Sequence, residues 1–137
     1  MTQELSTLTE NAVSFLAHFG TAVILSALFV WIYTKITPFK EVDLIAQGNK
    51  SAAYSFSGAT LGFVIALSGV IIHSASLPGM MIWGFIALLV QTLTYLALAK
   101  ILRSMPSGIE KGIDSYGIFL GGCSIAAGIL NAACMTP

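Results

Sequence analysis

Few side chains in this sequence could do chemistry in an apolar setting. They are His18, Gln91 and Asn131, with His73 at the end of an apolar stretch and Cys123 and Cys134 in the last one. Two histidines can begin a metal site, and Glu10 and Cys134 are conceivable further ligands, but no ligand spacing links the four. No metal or cofactor is expected. The cysteines lie eleven residues apart. On a helix that is about 16 Å, too far for them to pair with each other. They read as small packing residues, the alternative being an intermolecular disulfide through Cys134. Serines and threonines in the apolar stretches have no charged partner to activate them. There is no HExxH, no GxSxG and no phosphate-binding loop. An enzyme is not expected. What remains is hydrogen bonding, in which Gln91 and Asn131 can each tie two membrane helices together for about 1 kcal/mol.

The elements that carry these residues follow from composition. Of 137 residues, 56% are hydrophobic and only 9% are charged. A soluble domain carries about 25% charged residues. The mean hydropathy is +0.88. A membrane span needs about 20 apolar residues, so four spans use nearly the whole chain and leave no room for a soluble catalytic domain. The spans are read at 12–36, 52–72, 79–102 and 113–135, as one four-helix transmembrane domain. Trp31 and Tyr33 sit at the inner end of the first span, where interfacial aromatics belong, and Trp83 marks the outer end of the third. Ser76 can cap the third span, with Pro78 in its first turn.

Charge sets the orientation. Lys35, Lys40 and Lys50 follow the first span, and Lys100, Arg103 and Lys111 follow the third; these are all six basic residues of the chain. Lys and Arg in short loops stay in the cytoplasm during insertion. Both termini are therefore expected in the periplasm, with the basic loops against anionic headgroups. The leading segment carries Glu4 and Glu10 and no basic residue, which is the wrong charge for a cleavable signal peptide. No basic cluster is dense enough for nucleic acid.

Two small-residue seams stand out. Gly117, Gly121, Ser124, Gly128, Asn131 and Met135 recur at steps of four and three, and Ser51, Ser55, Gly58, Gly62, Ala66 and Gly69 do nearly the same. Such steps keep residues on one helix face, where small side chains let backbones approach. The second and fourth spans are therefore expected at the bundle centre or at a dimer interface, with the first and third facing lipid. The alternative is that the small faces line a passage, with Gln91 and Asn131 on it. No Asp, Glu, Lys or Arg lies deep in a span, which argues against a proton-coupled carrier.

The first inner loop has structure of its own. Thr37 can cap, Pro38 can start and Gly48-Asn49 can end a short helix. Phe39, Val42, Ile45 and Ala46 take one face; Lys40, Glu41, Asp43 and Gln47 take the other. It reads as an amphipathic helix at the inner surface, a plain connector or a dock for a partner. Ser104 to Gly112 reads as a shorter, more flexible loop. A short internal repeat links the two halves: Pro38 with Glu41 and Pro106 with Glu110, then Tyr54 with Phe56-Ser57-Gly58 and Tyr116 with Phe119-Leu120-Gly121. Two similar hairpins, each running out-in-out, would be related by an axis along the membrane normal.

Three stretches together carry a resemblance. They are Ile36-Thr37-Pro38 with Glu41, Leu44-Ile45 and Gly48-Asn49; Ala52-Ala53 with Phe56-Ser57-Gly58 and Leu61-Gly62; and the ending from Ala127 through Asn131 to Thr136. Trp83 and Gln91 also fall in place. The chain resembles the YjfL-type family of bacterial inner-membrane proteins, a family of unknown function. At Ala66 it departs from that pattern, which has a proline there, so no kink is carried over. The resemblance implies a four-pass inner-membrane protein of two similar hairpins, with no assigned activity or catalytic residue. Its genomic setting implies association with membrane-stress systems, notably homologues of the phage-shock peripheral protein. A cytoplasmic partner would dock on the inner loop, on Phe39, Glu41, Leu44, Ile45 and Asn49. The expected function is a non-enzymatic scaffold or envelope-stress component that packs through its small faces and forms homo-oligomers; the alternative is a small transporter or channel subunit.

Overall fold

The computed structural model describes residues 1–74 and 76–135, and is all helical over them. Thr136, the last residue of the resemblance motif, lies outside the described residues. Four helices are long and apolar enough to cross a membrane: α1 (Thr2–Ile36), α3 (Lys50–His73), α4 (Leu77–Ile101) and α6 (Asp114–Cys134). Two short helices join them in pairs, α2 (Glu41–Ala46) and α5 (Met105–Glu110).

Local signals explain the boundaries. Asn49 caps α3 by accepting from Ala52 N at 2.9 Å, and Ser76 Oγ accepts from Gly79 N at 3.3 Å at the start of α4. α2 and α5 both stop at a glycine with positive φ, Gly48 at 89° and Gly112 at 82°. Each stop closes the same way. Asn49 N donates to Leu44 O, and Ile113 N donates to Gly108 O, both at 2.9 Å. Glycine adopts this left-handed conformation without steric cost. α3 runs unbroken through Ala66.

Two elements depart from the sequence reading. α1 has 35 residues and begins at Thr2, well before the apolar stretch, because nothing from Thr2 to Asn11 breaks a helix. At 1.5 Å per residue it is about 52 Å long, and its residues from Thr2 to Leu16 are all exposed. The second inner loop is the ordered helix α5. Pro106 suits a first turn, and Met105 and Ile109, four residues apart, are both fully buried.

α3 is the central helix, with buried residues recurring from Ser51 to Val70 and a narrow exposed stripe through Tyr54, Leu61, Val64 and Ser68. Phe63 stacks on Phe29 of α1 at 4.7 Å between ring centroids. Tyr33 meets Tyr95 of α4 edge-on at 5.5 Å and Phe56 at 6.1 Å. Tyr33 is thus a core residue, 2% exposed, whereas Trp31 lies outside. Leu25, Phe29 and Tyr33 form a single stripe at steps of four, and that stripe prevails over the interfacial position. α6 lies on α3 by one face and exposes Ile118, Phe119, Ile129 and Leu130.

Candidate functional site

The two seams meet each other. Gly117 lies against Ser51, Gly121 against Tyr54 and Gly58, Ser124 and Gly128 against Gly62, and Ala132 against Gly69. The partners rise together in number, so α3 and α6 run parallel. The contacts are backbone on backbone. A Cβ on Gly121 would lie 2.6 Å from the Tyr54 carbonyl oxygen, and one on Gly69 would lie 2.8 Å from Ala132 Cα. Only hydrogen-sized side chains permit that approach. Ser51 adds a bond across the pair, its Oγ donating to Ile113 O at 2.7 Å.

Gln91 closes the third side. It projects from α4, 1% exposed, and its Nε2 donates to Ser124 O at 3.1 Å. Its Oε1 is buried without a hydrogen-bond partner. Ser124 Oγ bonds back to Leu120 O at 2.8 Å. Gln91 therefore reads a backbone carbonyl in the seam. Asn131 is half-buried further along α6, and the described contacts do not bring it to Gln91. The histidines are apart from this site: His18 Nδ1 lies 2.8 Å from Ser14 O, and His73 Nδ1 lies 2.9 Å from Gly69 O, each within its own helix. Cys123 and Cys134 are free. Among the described residues no three metal-ligating side chains cluster.

The end of the bundle that carries α2 and α5 is built differently from the expected dock. Thr37 ends α1 rather than capping α2, and its Oγ1 donates to the Glu41 carboxyl. Glu41, placed by its neighbours on a polar face, is buried, as is Phe39. Tyr33 and Tyr95 lie within electrostatic reach of the carboxyl. Burial pushes the Glu41 carboxyl above its ordinary value of 4.5, and the Thr37 hydrogen bond offsets part of that rise. Asn49 is also engaged within the chain. While its Oδ1 caps α3, its Nδ2 donates to Ile109 O at 2.9 Å and Glu110 O at 3.2 Å, tying the two inner connections together. Leu44 is half-buried. Of the expected docking residues Ile45 alone is exposed, beside Val42, Asp43, Ala46 and Gln47. A cleft of about 330 Å³ runs along this edge, lined by Glu41 together with Lys35, Lys40 and Asp43. The cluster of Thr37, Glu41, Tyr33 and Tyr95 was not foreseen from sequence. The step-four stripe through Tyr33 was the one available signal.

This arrangement can hold helices together, and among the described residues no nucleophile is paired with a base. Known proteins agree in length and pattern. The inner membrane protein YjfL of Escherichia coli strain K12, of the UPF0719 group, is 41% identical over 130 residues, covering 93% of this chain and 96% of its own. Its counterpart in strain O157:H7 gives the same figures. No solved structure matches the chain significantly. The family model described as Domain of Unknown Function (DUF350) matches residues 7–135, which takes in both seams, Gln91 and the inner-end cluster. The chain belongs to the DUF350 family.

Proposed function

We propose that this protein is a non-enzymatic scaffold of the bacterial inner membrane, built as two similar out-in-out hairpins with both termini in the periplasm. The observation that carries this reading is the direct backbone contact of α3 with α6 at Gly58, Gly62, Gly121 and Gly128, with Gln91 plugging the third side. Small faces that are spent on each other are not free to line a passage. The matching glycine stops of α2 and α5, and the parallel run of α3 and α6, support the repeat. The inner-membrane assignment follows the name of the Escherichia coli relative.

Self-association in this account uses surfaces that the seams leave free. The N-terminal half of α1 leaves Leu5, Leu8, Phe15 and Phe19 exposed. A cytoplasmic membrane-stress protein would dock on the exposed edge of α2, through Val42, Asp43 and Ile45. Phe39, Glu41 and Asn49 would act beneath it by holding the helix in place.

One observation favours the second reading, a small transporter or channel subunit. Gln91 Oε1 is a buried acceptor with no partner, as a site for a passing solute would offer. Flux in proteoliposomes separates the two. The scaffold reading expects none, and expects Gln91→Leu to change stability by no more than about 1 kcal/mol. Solute flux that Gln91→Leu alters would overturn it. Orientation has a separate test in a chain with Cys123 and Cys134 replaced. A cysteine at Gln3 should react with an impermeant reagent in whole cells and one at Gln47 should be shielded; the reverse pattern would invert the assignment.

A further inference from the structure

The inner end of the bundle holds a carboxyl group with no charge partner. Glu41 is 1% exposed, as buried as Phe29. Thr37 donates to Oε1, but Oε2 is buried with no hydrogen-bond partner. Tyr33 Oη is also buried with no hydrogen-bond partner, so the two atoms are not bonded to each other. The titratable and charged groups around the site come from every packed helix. α1 contributes Tyr33 and Lys35, α4 contributes Tyr95, and α2 carries Asp43 with Lys40 before it. α3 carries Lys50 at its first position. The three lysines and Asp43 are exposed to solvent; Lys35 and Lys40 line the same cleft as Glu41, but no basic side chain pairs with it among the described residues.

We propose that Glu41 is a proton-binding site, held as the neutral acid while α2 is seated on the bundle, and that loss of this proton releases α2. An ionised carboxylate would be buried there without a counter-charge, which is strongly unfavourable. A proton removes the charge. It also turns Oε2 from an acceptor lacking a donor into a donor. The second oxygen is already met by Thr37.

The sign follows from linkage. The seated form binds the proton more tightly than the open form, so seating takes up a proton. Seating is strongest below the ordinary carboxyl value of 4.5 and weakens as pH rises through the raised value. The device therefore presents α2 differently at different cytoplasmic pH. That consequence rests on the docking reading above, but the proton site does not.

The test is an infrared pH titration of the protein in nanodiscs, with hydrogen exchange of the α2 amides corrected for intrinsic rate. The expected result is a protonated-carboxyl band that survives above the ordinary carboxyl range in wild type and is missing in Glu41→Gln. Opening of α2 should rise by up to about tenfold per pH unit in wild type, the slope of a single proton, and stay flat in Glu41→Gln. If the variant does not fold, the wild-type titration decides alone, because the other acidic side chains, Glu4, Glu10, Asp43, Glu110 and Asp114, are exposed. A band lost within the ordinary range, or opening that follows sodium or potassium at fixed pH, overturns the proposal.

Discussion

Gly128→Ala forces α3 and α6 apart. The added Cβ would fall on the Gly62 carbonyl oxygen, with Gly62 C and Cα both at 2.7 Å. All three atoms are backbone, so no rotamer change relieves the clash and the helices must separate. Overpacking typically costs about 1–3 kcal/mol, occasionally more, and a rigid backbone contact belongs at the upper end. Separation also lengthens the Gln91–Ser124 bond and opens the contacts at Gly58 and Gly121 along the same line. Gly122→Ala on the same helix is the control. Nothing lies within 4 Å of its Cβ position, so replacing glycine should stabilise α6 by about 1 kcal/mol through helix propensity. Unfolding in mixed micelles should therefore move in opposite directions for the two variants. Equal stability of the two would contradict the seam.

Asn49→Ala should be the most damaging polar substitution. One side chain there serves two connections: it caps α3 through Ala52 N and bonds the end of α5 through Ile109 O and Glu110 O. Loss of an Asn cap costs about 1 kcal/mol. Two further hydrogen bonds contribute about 1 kcal/mol each. A loss of about 2–3 kcal/mol is expected, read from the same unfolding curves. Asn49→Asp separates the parts, since it keeps the cap oxygen and removes the amide donors. It should lose the α5 tie and raise hydrogen exchange in α5 while α3 stays capped. Unchanged α5 exchange would show that the tie does not act in the membrane.

The sequence carried the architecture further than the site. Four apolar runs of span length survive as α1, α3, α4 and α6 because length and hydropathy alone decide membrane helices. The small-residue steps from Gly117 to Gly128 and from Ser51 to Gly69 located the tight faces. They could not say which face meets which, since a glycine seam looks the same inside one chain and between two. Tyr33 shows two rules competing: its place near the inner boundary suggested an interfacial ring, while its register with Leu25 and Phe29 put it in the core. Glu41 was illegible for a different reason. Between Lys40 and Asp43 it reads as a solvated charge, and only the turn at Thr37-Pro38-Phe39 carries its side chain inward. Asn49 was legible as a helix stop but not as the link to α5, which lies about sixty residues away in sequence.

The central claim is that the small faces are closed on each other within one chain. The most direct measurement is a side-chain-resolution structure of the protein in nanodiscs. The account predicts Gly128 of α6 against Gly62 of α3 in the same chain, with Gln91 Nε2 on the Ser124 carbonyl and no continuous water path beside it. Seams that face a second copy, or a polar passage running past Gln91, would contradict it.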